Sequence, residues 1–176
     1  AAMNPCKCGF FPDLGKCRCT PTQIRRYLNR VSGPFLDRID IGVEVPRQDL
    51  GMMAAEKSID EGSFPQTEQR NSSAVMRARV MEARARQEKR FADESISYNS
   101  QMTRRQIEEY CRLSGEDAVF LEKVERQQGI SARGHGKILK VARTLADLDG
   151  QAEIGRTQLA EAIGFRSFEK KYWGSL

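Results

Sequence analysis

Apolar positions along the chain change their period once. Ile39, Ile41, Val43 and Val45 alternate with other residues, which is the spacing of a half-buried β-strand, and Pro46 ends the run. Elsewhere the apolar spacing is helical. Ile24, Tyr27, Leu28 and Val31 recur at i, i+3, i+4 and i+7. They follow Thr20-Pro21-Thr22-Gln23, a helix start with a Thr cap, Pro at the first helical position and Gln three residues after the cap. Ser32-Gly33-Pro34 stops this helix and turns the chain toward the strand.

From Ser73 onward the spacing predicts helices only. One runs from Ser73 to about Ala92 with a thin apolar seam of Val80, Ala83 and Phe91, and it is rich in arginine. A solvated face is the more frequent role of such a basic helix. A second spans Thr103 to Arg112, where Ile107 and Cys111 stack at i, i+4. A third spans Ser114 to Gln128 with Ala118, Leu121 and Val124 inward and Gly129 as its stop. The best-patterned helix is Ser131 to Leu148, where Ile138, Leu139, Ala142, Leu145 and Ala146 make one broad face before Asp149-Gly150. A last one covers about Thr157 to Phe165 with Leu159, Ala160 and Ile163. The tail SFEKKYWGSL carries no readable period, and residues 50–72 read as a linker rich in Gly, Ser, Glu and Gln.

Composition narrows the class. Charged residues make up 30% of the 176 and the mean hydropathy is −0.59, so a soluble chain with a modest core is expected. No apolar run approaches the roughly 20 residues that span a bilayer, so no membrane partner is expected. The opening AAMNPCKCGF lacks a basic region followed by an apolar one, and it reads as the start of an excerpt from a longer protein. A net charge of +5 suits nucleic acid or nucleotide partners without requiring them.

Four of the five cysteines lie between Cys6 and Cys19, as Cys6-Lys7-Cys8 and Cys17-Arg18-Cys19 around the eight-residue loop GFFPDLGK. Clustering of this kind points to a reduced, cytoplasmic compartment and a metal site. Four thiolates suit tetrahedral zinc in a structural role, with no position left open for water. Free or redox-active thiols and a disulfide pair are the alternatives. Lys7, Lys16 and Arg18 would offset the negative charge of the site.

Two arginines stand out by position. Arg38, between Asp37 and Asp40, lies where the turn enters the strand; a guanidinium presented there suits a phosphate on a neighbour, and the competing reading is a local Asp–Arg pair. Arg133 falls in the first turn of its helix, where a cation opposes the helix dipole and suggests an anion nearby. The single histidine, His135, reads as a surface residue between Gly134 and Gly136.

The pieces AAMNPCKCG, the second C-x-C, PTQIRRYLNRVSGPFLDRIDIGVEVP, RARVMEARARQEKR and ISARGHGKILKVARTLADL together resemble the end of a bacterial Mg-chelatase-like AAA+ ATPase of the YifB/ComM family. The resemblance implies a mainly α fold: a helical-bundle lid preceded by the last strand and helix of an α/β AAA+ core. It implies residues 1–50 as the end of the nucleotide-binding core with a cysteine-rich knuckle, 51–72 as linker, 73–168 as lid and 169–176 as tail. It also implies roles. Asn4 matches sensor 1, Arg38 the arginine finger acting in trans, and Arg133 the nucleotide-binding sensor 2. ATP and Mg²⁺ would be bound by the full-length protein, neighbouring subunits of a homo-oligomeric ring would be partners, and DNA remodelling or branch migration would be the work done.

These residues contain no G-x-x-x-x-G-K-[ST] and no acidic strand end for Mg²⁺, so the chain alone is expected to be inactive as an ATPase. The glycine-rich HGK that follows Arg133 departs from an ordinary helix start. The alternative function is a freestanding zinc-containing basic module that binds DNA. In either case the lid, about Ser73 to Arg166, is expected to fold by itself around Val80, Leu121, Val124, Ile138, Leu139, Ala142, Leu145, Leu159 and Ile163. The strand before residue 50 is expected to pair poorly for want of sheet neighbours.

Overall fold

In a computed structural model, residues 1–45 and 72–174 are described. The first ordered element is the cysteine loop, followed by α1 (Pro21–Leu28). Its start follows the local code: Thr20 accepts from the Gln23 amide and the Gln23 side chain returns to the Thr20 amide. A single turn, α2 (Gly33–Leu36), replaces the expected simple bend at Ser32-Gly33-Pro34.

The expected strand does not form among the described residues. Residues 39–45 carry no ladder, and Val43 and Val45 are 68% and 87% exposed. An isolated strand has no partner for its backbone groups, and its alternation has no face to bury. Its backbone is held from the helical part by the Gly42 amide, which donates to the Phe165 carbonyl at 2.9 Å, and by Arg166, which donates to the Ile39 carbonyl at 2.8 Å. Pro46 and residues 51–71 of the expected linker lie outside the described residues.

The helical part is built from α3 (Ser73–Arg90), a 3₁₀ turn (Asn99–Gln101), α4 (Arg104–Tyr110), α5 (Gly115–Gln128), α6 (Ala132–Leu148) and α7 (Arg156–Gly164). Serine or threonine caps begin α3, α4, α5 and α6, each accepting a backbone N–H from the first turn. Gly129 ends α5 at φ +66°, the left-handed cap that only glycine adopts without strain.

The amphipathic α6 is the axis of the bundle and packs on α7, α3, α4 and the 3₁₀ turn. Its Ile138, Leu139, Ala142 and Ala146 join Phe91, Met102, Leu121, Leu159 and Ile163 in one core, with Val124 and Leu145 at its margin. Val80 is not in it. The first half of α3 is solvent-exposed, Val80 included, and packing begins at Ala83. Ala118 is likewise exposed, because α5 turns Leu121 inward instead.

A polar network crosses this core. Asp147, fully buried, pairs with Arg90 and with Arg143 at 3.2 Å, and accepts from the Asn99 amide group at 2.8 Å. Arg143 also donates to the carbonyls of Ala152 and Gln151, so α6 is tied to the loop that leads into α7. Two cations surround one carboxylate in a place where an unpaired charge would be very costly.

The tail, unreadable as a pattern, is a helix: α8 (Ser167–Trp173). It lies against the N-terminal region, with Tyr172 and Trp173 packed beside Cys6, Ile24 and Leu28. Phe168 occupies the space over Gly42, where a Cβ would stand 2.1 Å from its ring. Residues 1–45 are therefore joined to the helical part through α8, as well as through Lys137 of α6.

Candidate metal centre and arginine corner

Four cysteines converge at the end of the loop. Their sulfurs all lie within 4.8 Å of one another, with Cys6–Cys8 at 3.3 Å, Cys6–Cys17 at 3.8 Å and Cys8–Cys17 at 3.6 Å. Four sulfurs held about 2.3 Å from one zinc ion at tetrahedral angles stand about 3.8 Å apart. The donor set and its spacing fit that ion. Gly9 supplies the tight turn after the first pair at φ +78°, which brings the Phe11 amide onto the Cys6 sulfur at 3.5 Å.

The amide of Phe10, working against burial and joined by the amide of Arg18, lowers the Cys8 thiol to about 6. Cys17 is pushed up to about 12: the Cys19 amide opposes the rise, while burial and the crowding Cys8 and Cys6 sulfurs produce it. Negative charge on one sulfur thus discourages it on the next, a conflict that a divalent cation would remove. Cys111 takes no part. It lies buried in the helical core, and burial pushes its thiol up to about 11.

The second feature is the corner after α2. Ser32 caps the turn and Asp37 closes it, leaving Arg38 exposed. Its neighbours are engaged elsewhere. Lys137 of α6 pairs with Asp40 at 2.7 Å and donates to the Arg38 carbonyl at 2.7 Å. Asp37 receives the Ser131 hydroxyl at 3.4 Å and lies 3.9 Å from the guanidinium of Arg166. Arg38 itself makes one side-chain bond, to the Pro34 carbonyl at 2.6 Å, and no ion pair among the described residues. The local Asp–Arg pair is therefore not what the structure contains.

Arg133 is exposed in the first turn of α6, two residues after the Ser131 that holds Asp37. The corner and the start of α6 are thus brought together. Asn4 is exposed just ahead of the cysteine loop, and no hydrogen bond or ion pair joins it to Arg38 or Arg133. His135 bonds Glu125 at 2.6 Å and is half-buried rather than free on the surface. Gly134 is required where it stands, since a Cβ there would meet the Ile130 side chain at 2.7 Å.

Sequence reasoning missed Arg166 and Lys137, which position the corner. Arg166 is almost wholly buried, pairs with Glu169 and donates to the Ile39 carbonyl at 2.8 Å. Nothing local distinguishes it from other arginines near a helix end. The Arg143–Asp147 pair was more accessible, being opposite charges at i, i+4 on the apolar side of a helix. A cavity of about 270 Å³ between the cysteine loop and α1 is lined by Lys7, Gln23, Arg26, Tyr27 and Arg30. None of its three cations has an ion pair among the described residues.

Comparison with known proteins places this arrangement. Residues 1–53 match the family described as magnesium chelatase, subunit ChlI, and residues 70–166 match its C-terminal family. The chain is 40% identical over 168 residues to the competence protein ComM of Haemophilus influenzae, covering 95% of this chain and 30% of that one. It is also 40% identical over 170 residues to YifB of Escherichia coli, covering 97% and 31%. A Mycobacterium bovis protein is 31% identical over 165 residues, with 94% and 30% covered. The helical bundle and the sequence matches make this chain a member of the magnesium chelatase ChlI family. Within it, the chain corresponds to a portion of a ComM/YifB-type AAA+ protein and spans about 30% of the length of the curated relatives it matches. Among the described residues, no helix is long and apolar enough to cross a membrane.

Proposed function

We propose that this chain supplies the trans-acting and sensing residues of a ring-shaped AAA+ ATPase. Arg38 is the arginine finger, reaching a nucleotide on the adjacent subunit; Asn4 serves as sensor 1 and Arg133 as sensor 2. Residues 1–50 end the nucleotide-binding core and 73–168 form the lid. Cys6, Cys8, Cys17 and Cys19 hold a structural zinc ion that gives the short N-terminal segment its shape.

The single observation that carries this reading is the state of Arg38. Both acids beside it are engaged by Lys137 and Arg166, so among the described residues Arg38 has no ion pair on a corner tied to α6 and α8. Phosphoryl transfer needs positive charge at the γ-phosphate, and a finger given by a neighbour makes turnover depend on assembly. Lys137 and Ser131 belong to the same helix as Arg133, which supports linkage between lid position and finger position.

In the longer protein that carries the phosphate-binding loop, Arg38→Ala should leave nucleotide binding nearly intact and cut ATP turnover by roughly 10³-fold or more. Arg38→Lys should restore little, because a point charge cannot fork across two oxygens. Subunits lacking only Arg38 should regain activity when mixed with subunits lacking only the phosphate-loop lysine. No gain above the two parents in confirmed mixed rings would remove the trans assignment.

DNA is the proposed substrate of the assembled protein, a reading supported by the competence role in one relative's name and by the basic cavity of Lys7, Arg26 and Arg30. The alternative, an autonomous zinc-containing DNA-binding module, is favoured by that cavity alone. It requires this chain by itself to bind DNA with steep salt dependence, while the AAA+ reading does not.

A further inference from the structure

Helix α8 forms a wall of the metal centre that lies about 150 residues downstream of the cysteines. Trp173 Nε1 donates to the Leu28 carbonyl at 3.1 Å, at the end of α1. Tyr172 meets Phe11, in the loop between the two cysteine pairs, edge-on at 6.1 Å. Both aromatic rings rest on the cluster of Cys6, Ile24 and Leu28, with Cys8, Cys17 and Cys19 at its edge.

The same helix also holds the arginine corner's exit. Phe168 lies over Gly42, Lys171 pairs with Glu44 at 2.6 Å, and Arg166 at the helix cap bonds the Ile39 carbonyl. A seven-residue helix with no buried residue is not stable from its own hydrogen bonds. A loop of this length with four thiols has no apolar core of its own and takes its shape from a metal. Each element lacks what the other provides.

We propose that metal binding by Cys6, Cys8, Cys17 and Cys19 and docking of Tyr172 and Trp173 are one coupled equilibrium, so that α8 relays the state of the metal centre to the segment carrying Arg38. This rests on the zinc reading of the four cysteines. Tyr172 and Trp173 are positioning residues here: they touch the loop, not the ion. Coupling is reciprocal, so whatever factor the ion adds to docking, docking adds to ion affinity.

Trp173 is the only tryptophan, which makes the docked state directly readable in the whole chain. Zinc addition to the reduced, metal-free chain should shift Trp173 emission to the blue and protect it from acrylamide quenching. Zinc affinity, measured by competition with a chromophoric chelator, should fall in Tyr172→Ala/Trp173→Ala by roughly 5- to 150-fold, the usual range of coupling between sites. Gly42→Val is the second lesion. It displaces Phe168 without touching α1 or the cysteine loop, and it should weaken zinc in the same direction. Retained helical ellipticity reports that the bundle is intact in both variants.

Zinc affinities within twofold of the parent in both variants would overturn the coupling while leaving the zinc site standing. So would Trp173 emission indifferent to zinc. Failure of the parent chain to bind zinc at all removes both. Loss of affinity in the aromatic double variant with none in Gly42→Val would confine α8 to the metal centre and overturn the relay to the corner.

Discussion

Residues 1–45 and the α3–α7 bundle are held together by different means. The bundle buries a continuous apolar core around α6 and seals its charges inside, with Asp147 shared by Arg90 and Arg143. The N-terminal region buries only a small cluster, most of it sulfur and aromatic, and part of that cluster is borrowed from α8. Its charges face outward or reach across to α6 and α8, as Asp37, Asp40 and Glu44 do. A region with its own core can carry a fixed shape alone. A region without one depends on what is bound to it.

The largest effect should come from removing metal. Chelation under reducing conditions should abolish hydrogen-exchange protection over residues 6–28 and leave residues 121–163 protected. Structural zinc is worth about 10–16 kcal/mol in small zinc-folded peptides. Equal loss in both regions would mean that they fold as one unit and would erase the comparison.

Next is Asp147→Ala, which leaves Arg143 buried without its carboxylate. It should cost about 3–5 kcal/mol of bundle stability, read by denaturant midpoint. Trp173 emission should respond less than bundle ellipticity, since the network belongs to the bundle core and Trp173 to the separate cluster around the cysteines.

Leu121→Ala should cost about 2–5 kcal/mol, whereas Val80→Gln should change stability by no more than about 0.5 kcal/mol. A large effect at Val80 would show that the exposed half of α3 is covered in solution.

The smallest effect concerns acid. The hydrogen bond from Arg156, against some desolvation and with help from the Ser114 hydroxyl, holds the Asp117 carboxyl below its ordinary value of 3.8. A depressed folded value means the stabilisation is present above the ordinary value and is lost as pH falls through the lowered one. Asp117→Asn should therefore flatten the stability curve below about pH 4 and leave its slope at neutral pH unchanged.

Much of the bundle was legible because its cues are local. Capping serines and threonines, Gly129 and the apolar stripe of Ile138, Leu139, Ala142 and Ala146 act within a few residues and appear close to where the spacing predicts, although the cap of α3 is Ser72 and not the expected Ser73. Val80 failed because helical spacing tells which residues share a face, not how far along the helix a neighbour extends. The strand at 39–45 failed for a related reason: alternation states a capacity to be half-buried, and the burying partner is not among the described residues.

The cysteine spacing by itself determined that four thiols could meet, because a short loop between two C-x-C pairs leaves them little choice. It also set Arg38 on a corner and Arg133 in the first turn of a helix. Only the tertiary structure decided which charges pair among the described residues. Asp37 and Asp40 lie next to Arg38 in the chain, yet they are taken by Arg166 and Lys137 from about 100 or more residues away. The tail's role was likewise invisible, since Trp173, Tyr172 and Phe168 acquire meaning only from the surfaces of α1, the cysteine loop and Gly42 that they meet. Periodicity and capping are written over a few residues and can be read there, whereas partner choice depends on what packing brings together.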